Sequence, residues 1–342
     1  MKVGILTGGG DCPGLNAVIR AVVKRGLQLG FGFTGIRDGW KGLVDGDVFD
    51  LTEREVSGIL QKGGTILGTS RTNPFKQEGD LEKTLANIKA LSLDALVCIG
   101  GDDTLGVAAK LFDMGINTVG VPKTIDNDLT GTDATFGFDT AVGIVTEALD
   151  RLHTTTESHH RVMVVEVMGR HAGWIAVCGG LAGGADAILI PEKPFEMDEV
   201  CGFVKSRMEK GKTFSLIVVA EGAYPKGSGG VVTRKKGLDA FGHVRLGGIA
   251  EFVANDIEER TGIETRYVVL GHLQRGGSPS AYDRILATRY GIKAIEMVRD
   301  GSFGKMAALH GGEIVEVSLK EATSTTRTVD MELYRIAQVF FG

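Results

Sequence analysis

Leu96-Val97-Cys98-Ile99 runs into Gly100-Gly101-Asp102-Asp103-Thr104, and Thr118-Val119-Gly120-Val121 runs into Pro122-Lys123-Thr124-Ile125-Asp126-Asn127-Asp128. Each apolar run is short and unbroken, the pattern of a strand buried on both faces of a parallel sheet. Both acidic clusters therefore sit where strands end, and open α/β sheets bind ligands beyond the carboxyl ends of their strands. Outward from these two strands the alternation continues, with strand-like segments at 3–7, 162–167, 187–190 and 215–220 and helix-like ones at 16–29, 105–114, 140–152 and 197–209. Strand and helix in turn predict α/β architecture with parallel sheets covered by helices, a second domain beginning after Arg161. Residues 224–248 break the rhythm with glycines and a basic run, Arg234-Lys235-Lys236, and read as an exposed loop or insertion.

The 342 residues suffice for two domains of ordinary size, and 43% hydrophobic with 24% charged residues is the composition of a globular chain. The 51 glycines are about twice the usual share and cluster after apolar runs, where tight turns bring backbone close to a ligand. A net charge of −5 supplies no basic field for nucleic acid, and no basic amphipathic segment points to a membrane surface. Local arginines must then carry any anion binding. The first strand starts at Lys2 and no apolar stretch approaches ~20 residues, so a cytoplasmic enzyme without signal peptide or membrane span is expected. Cys12, Cys98, Cys178 and Cys201 are far apart with no C-x-x-C, and read as reduced thiols rather than disulfides or a metal site.

Thr7-Gly8-Gly9-Gly10-Asp11-Cys12-Pro13-Gly14 joins the first strand to a helix, and glycines there let N–H groups reach a phosphate at the helix start. It has neither the Lys-Ser/Thr of a Walker loop nor a G-x-G-x-x-G register, so a plain tight turn stays open. Asp102, Asp103 or Thr104 could each cap a helix beginning near Leu105, yet two adjacent carboxylates repel unless a cation or N–H groups hold them. A Mg2+ ion bound with substrate phosphates takes one or two carboxylates, which this pair supplies. Asp126 and Asp128, at i and i+2, point the same way in an extended segment and could set a base beside a metal-proximal acid; the alternative is a turn held by Asx hydrogen bonds. The cationic side is Arg71, Arg161, Arg170, Arg266, His272 and Arg275, most of them beside glycine-flanked apolar segments. Guanidinium forks hold phosphate esters bidentately, although each arginine taken singly reads as well as a surface ion pair. Together they offer alignment, charge compensation and a base, which are the needs of phosphoryl transfer.

Gly-Gly-Asp-x-Pro-Gly at 9–14, Gly-Gly-Thr-x-Leu-Gly at 63–68, Thr-Ile-Asp-Asn-Asp at 124–128, Val-Glu-Val-Met-Gly-Arg at 165–170 and Leu-Gly-His-x-Gln-Arg-Gly-Gly at 270–277 together closely resemble the phosphofructokinase family, from the first strand to about Arg289. The resemblance implies two doubly wound three-layer α/β domains with mainly parallel sheets and an active site in the cleft between them. It implies a donor domain of 1–137 with about 275–325, a fructose 6-phosphate domain of about 138–274 with 326–342, and an insertion loop at 224–248. The implied reaction transfers a phosphoryl group to the 1-hydroxyl of fructose 6-phosphate, with Asp126 as base, Asp128 nearby and Asp102 organising Mg2+. Gly9, Arg71 and Thr104 would contact the donor, and Arg170 would bridge the transferring group. Thr124, Ile125, Met168, Gly169 and Glu221 would hold the sugar, and Arg161, Arg266, His272, Leu273, Gln274 and Arg275 its 6-phosphate side. In the family some of those arginines cross from a neighbouring subunit, so a homodimer or homotetramer with shared active sites is implied.

Two positions depart from the ATP-using pattern, which has glycine where this chain has Asp103 and Lys123. The α-phosphate of ATP lies beyond the two phosphates that react, and a carboxylate at 103 fills that space with negative charge. Pyrophosphate has no third phosphate to repel. A penalty of ~3 kcal/mol is more than a hundredfold in affinity. Lys123 adds a cation near the leaving phosphate, which no nucleoside anchors. The pair resembles the pyrophosphate-dependent branch, reversible in glycolysis and gluconeogenesis, with pyrophosphate and fructose 6-phosphate as its partners. An ATP-dependent enzyme in which Asp103 and Lys123 merely pair is the alternative, and a non-catalytic sugar-phosphate sensor is the reading from a different class. Arg20, Lys24 and Lys212 resemble basic effector-binding residues of the family, but His153 replaces an expected arginine, so weak or absent nucleotide regulation is expected.

Overall fold

The run at 95–99 becomes a strand inside a seven-stranded sheet, between the first strand of the chain and the strand ending at Pro122. This computed structural model describes residues 1–228, 230, 233–238 and 244–342, with the backbone alone for 233–238 and 244–245. The chain opens with β1 (Lys2–Thr7), α1 (Leu15–Gln28), β2 (Gly32–Ile36), α2 (Trp40–Asp45), β3 (Val48–Asp50), α3 (Asp80–Ala90), β4 (Ala95–Gly100), α4 (Asp102–Asp113) and β5 (Thr118–Pro122). The long α5 (Phe138–Ser158) leads to β6 (Val162–Val167), α6 (Trp174–Ala182), β7 (Ala187–Leu189), α7 (Met197–Glu209) and β8 (Ser215–Ala220). There follow β9 (Thr233–Leu238), β10 (Val244–Leu246), α8 (Ile249–Thr261), β11 (Thr265–Val269) and a 3-10 turn at Gly271–Arg275. Last come α9 (Ala281–Arg299), β12 (Lys305–His310), β13 (Glu313–Ser318), α10 (Leu319–Ala322) and α11 (Met331–Gln338).

Two units result, Met1–Ile125 with Leu129–Thr140 and Arg275–Thr325, and Asp126–Asp128 with Ala141–Gln274 and Thr326–Gly342. In the first, strands run in the order β13-β12-β5-β4-β1-β2-β3, parallel from β12 to β2, with antiparallel β13 and β3 at the edges. Leu96 and Cys98 face a core shared with Trp40, Leu105, Leu111 and Leu319, while Val97 and Ile99, which alternate with them, are equally inaccessible. Both faces are therefore covered, which is why β4 is an unbroken apolar run rather than an alternating one. The second unit has an all-parallel sheet in the order β11-β6-β8-β7. Each sheet with its helices is an α/β layer structure, the class the alternation predicts.

Local readings differ from the structure in several places. Within 224–248, expected to be an exposed loop or insertion, β9 and β10 pair antiparallel; residues 229, 231, 232 and 239–243 lie outside the described residues. Glycine and lysine hid the strand signal there, because both are depleted in strands. Another difference is the start of α4, at Asp102.

Candidate active site

Strand addition in the first sheet reverses between β1 and β4, with β2 on one side and β5 then β12 on the other. The loops that follow β1 and β4 meet at this switch point, where open sheets form their ligand crevice. The N–H of Gly8 donates to the Ile99 carbonyl at 3.0 Å, and the N–H of Lys123 donates to the Gly100 carbonyl at 3.0 Å. Thr104, 1% exposed, fills the space beneath both loops. A Cβ on Gly100 would lie 2.3 Å from the Thr104 Cβ, and one on Gly8 2.6 Å from its Oγ1, so only glycine fits at either position.

A third loop, 63–71, locks onto the first. The Gly9 N–H donates to the Ser70 carbonyl at 3.1 Å, Thr69 Oγ1 donates to the Gly9 carbonyl at 2.6 Å, and Thr7 Oγ1 donates to the Gly68 carbonyl at 2.7 Å. Asn16, fully buried on α1, accepts the Ile66 N–H at 2.8 Å and donates to the Lys62 and Gly63 carbonyls. Gly9 and the exposed Arg71 thus ride on interlocked backbone rather than on free loops. Cys12 lies under this loop with its Sγ 3.6 Å from the Phe136 carbonyl, and burial pushes its thiol far above the usual range, leaving it inert.

Lys123 is 3% exposed and its Nζ donates to the Gly10 carbonyl at 2.5 Å, which puts a buried ammonium at the glycine loop. Arg275 Nη1 donates to the Asp11 carbonyl at 3.2 Å, so this guanidinium lies on the same loop, within the first unit. α4 starts at Asp102 instead of near Leu105, with Gly101 at the N-cap and no side-chain capping bond. Neither carboxylate is the cap. Both occupy the first turn, where the helix dipole favours negative charge. The exposed Asp102 and half-buried Asp103 line an open cleft of about 440 Å3, together with Asn73, Gly106, Lys110 and Lys320. Among the described residues no three His, Cys, Asp or Glu side chains converge as a metal cage. Asp102 and Asp103 offer the one or two carboxylates by which a Mg2+ completed by substrate phosphates and water would be held.

Beyond Lys123 the chain does not stay extended. Asn127 has φ +53°, so the i, i+2 alternation fails and Asp126 and Asp128 are turned relative to each other. Ile125 is wholly buried in the core, Asp126 and Asn127 are buried and Asp128 is half-buried. Residues Asp126–Asp128 pack with the second unit, although Ile125 and Leu129 on either side belong to the first.

In the second unit Met168, Glu221 and His272 follow the carboxyl ends of the neighbouring strands β6, β8 and β11. Glu221 accepts the Arg170 N–H at 3.1 Å, and its own N–H donates to the Val167 carbonyl at 2.8 Å. Arg170 is held at φ +52°, and a Cβ on Gly222 would lie 2.0 Å from the Arg170 carbonyl oxygen. Such a backbone persists only where the surroundings impose it, and it clusters at working sites. Met168, Glu221 and His272 line a cavity of about 170 Å3 with Glu166, a buried carboxylate that accepts the N–H groups of Gly248 and Ala250 at 3.1 and 3.0 Å and so caps α8. Gln274 is fully buried, accepting the Met168 N–H at 3.2 Å and donating to the Gly271 carbonyl at 3.1 Å, so it shapes this end of the sheet, whereas Leu273 is 69% exposed.

Arg161 and Arg266 lie at the opposite end. Arg161 precedes β6 and Arg266 is the second residue of β11, and they reach Glu264 at 3.7 and 2.9 Å. These two arginines thus stand toward the amino ends of β6 and β11, while His272 follows the carboxyl end of β11. Sequence reasoning also passed over Asn16, Glu166, Trp174 and Arg327. The first two act as buried polar residues in otherwise apolar runs, a signal that was present; the last two carry no motif.

The family described as Phosphofructokinase matches residues 2–298. A protein of Streptomyces coelicolor named pyrophosphate--fructose 6-phosphate 1-phosphotransferase is 60% identical over 344 residues, covering all of both chains. A second protein of that organism, named ATP-dependent 6-phosphofructokinase 3, is 52% identical over 339 residues, 99% of each chain. Among solved structures, phosphofructokinase from Saccharomyces cerevisiae is similar at TM-score 0.86 and 31% identity, over 98% of this chain and 50% of that one.

Proposed function

The chain belongs to the phosphofructokinase family, and from that premise we propose that it is a pyrophosphate--fructose 6-phosphate 1-phosphotransferase. The observation that carries the choice of donor is the presence together of a buried Lys123 ammonium on the Gly10 carbonyl and of Asp103 in the wall of the cleft along α4. The cation serves a small, highly charged donor and its leaving phosphate. The carboxylate stands where a longer donor would have to extend. A relative at 60% identity over its full length carries this activity in its name. The relative at 52% favours the second reading, an ATP-dependent phosphofructokinase.

Asp126 takes the proton of the 1-hydroxyl as that oxygen attacks the nearer phosphorus of pyrophosphate; a P–O bond forms to the sugar, the bridging P–O bond breaks, and orthophosphate leaves. Gly9, Arg71 and Lys123 hold the donor, and Arg170 follows the transferring group. Thr124, Met168, Gly169 and Glu221 orient the sugar, His272 holds its 6-phosphate, and Asp128 stands beside the base. Thr104 acts by filling the space under the glycine loops, Ile125 by packing in the core, and Gln274 by fixing backbone. Asp102 would hold Mg2+, which when bound offsets the charge on the phosphates. Arg161 and Arg266 serve the 6-phosphate of a neighbouring copy, which makes the enzyme a homodimer or homotetramer. No helix among the described residues is long and apolar enough to cross a membrane, and the cytoplasm is the proposed location.

A coupled assay with each donor tests the reading: turnover with pyrophosphate and at least a hundredfold less with ATP is expected, whereas equal rates would reassign the donor. D126N should lower kcat about a thousandfold while fructose 6-phosphate still binds.

A further inference from the structure

The segment after Thr325 belongs to the second unit and is tied there to the same short stretch that carries Asp126. Arg327 uses both backbone and side chain. Its N–H donates to the Asp128 carbonyl at 2.8 Å, and its Nη1 donates to the Asn127 carbonyl at 3.2 Å. The guanidinium lies over the ring of Trp174, 4.3 Å from its centroid, and Trp174 Nε1 donates back to the Arg327 carbonyl at 3.1 Å. Trp174 opens α6, directly after the segment 168–173. Two residues further on, the Val329 N–H donates to Glu192 Oε1 at 2.9 Å, and the same carboxylate accepts the Gly173 N–H at 2.9 Å.

We propose that Arg327, braced by Trp174 and Glu192, is a positioning residue that holds the 126–128 stretch in the one conformation that presents Asp126. The proposal rests on the reading of Asp126 as the base. Asn127 sits in the left-handed region, which an unaided chain leaves readily. Two consecutive carbonyls, of Asn127 and Asp128, are gripped by one residue, so neither peptide plane is free to turn. The bond to Asp128 comes from backbone, and the one to Asn127 suits arginine best: its planar head donates in the plane while its face stays on an indole, a combination an ammonium lacks. The strap also joins the acid stretch to the 168–173 stretch, both of which the proposed reaction needs in register.

The test is a kcat-against-KM split on the full-length enzyme with pyrophosphate and fructose 6-phosphate. R327M should lower kcat about 30–100-fold, the cost of an ångström-scale misplacement, with both KM values within about threefold and an unchanged melting temperature. R327K should recover part of the loss, and W174F, which keeps a ring but removes the donor, should lose about threefold. With Trp40 replaced by Phe, the emission of Trp174 should shift in R327M whether or not the assay turns over. Should R327M not fold, R327K and W174F carry the same split. A kcat for R327M within twofold of the parent, or a loss that R327K does not lessen and that follows the melting temperature, overturns the proposal. D126N is assayed in parallel: an active D126N removes the base reading itself, while an inactive D126N beside an active R327M removes only the strap.

Discussion

Asp103 and Lys123 sit next to residues with quite different duties, and the difference is one of surroundings. Lys123 is buried and bonded to Gly10, so removing it deletes a cation and leaves a carbonyl without its donor. Asp103 lines a wide cleft whose other walls include Lys110 and Lys320, so D103G should fold normally. We expect D103G and K123G each to cut kcat/KM for pyrophosphate by about tenfold or more, and any rate with ATP to need at least D103G; steady-state kinetics with both donors checks this. ATP turnover in K123G alone would contradict the steric role of Asp103. These residues were legible in the sequence because each stands in a contiguous motif directly after an apolar run. Arg327 was not, since it lies 200 residues from the Asn127 carbonyl it holds and has no motif around it. The left-handed turn at Asn127 was equally hidden: an Asx residue tolerates that region but does not demand it.

Between elements, the hairpin of β12 and β13 is pinned to α9 by one carboxylate. Glu316 accepts from Lys293 at 2.8 Å, from Ser302 at 2.5 Å and from Lys305 at 3.1 Å. The bond from Lys293 leads these in holding its carboxyl down, at about 2 against the usual 4.5. A carboxylate with a lowered folded pKa adds stability that is fully present above its unfolded value and is lost as the pH falls toward the folded one. The gain from Glu316 should therefore hold above pH 4.5 and disappear between pH 4.5 and 2. E316Q should melt ~2–4 °C lower at pH 7, about 1 kcal/mol, and match the parent near pH 2. A gap between the two that stays constant with pH would mean the loss is packing, not charge. This node is not legible in the sequence, because its three donors come from two elements and a turn. The same limit explains α4: a reading that looked for a capping side chain skipped the first turn, since glycine can hold the N-cap with no side chain at all.

For the whole molecule, the alternation of strand and helix announced two α/β units, while that the chain passes back and forth between them was implied only by the family resemblance; the crossings fall at 125, 128, 140, 274 and 325. Such crossings depend on pairings far apart in sequence, which local pattern does not encode. Arg161 and Arg266 lie at one end of a sheet and His272 at the other, and this gives the proposed sharing of sites between subunits a direct test. R161A and H272A should each be nearly inactive, yet unfolded together and refolded they should regain about a quarter of parental activity, because half the dimers are mixed and each mixed dimer has one intact site. No recovery would confine every site to one chain. The order of strands in the first sheet has a cost during synthesis. β5 gains its outer neighbour only when β12 arrives, more than 180 residues later, and at ribosomal speed that is roughly 10–40 s. For that interval the apolar edge Thr118-Val119-Gly120-Val121 has no partner strand of its own chain, and a nascent neighbour could add to it. The speed of translation and the supply of chaperones, more than the stability of the finished sheet, should then set the soluble yield of this enzyme.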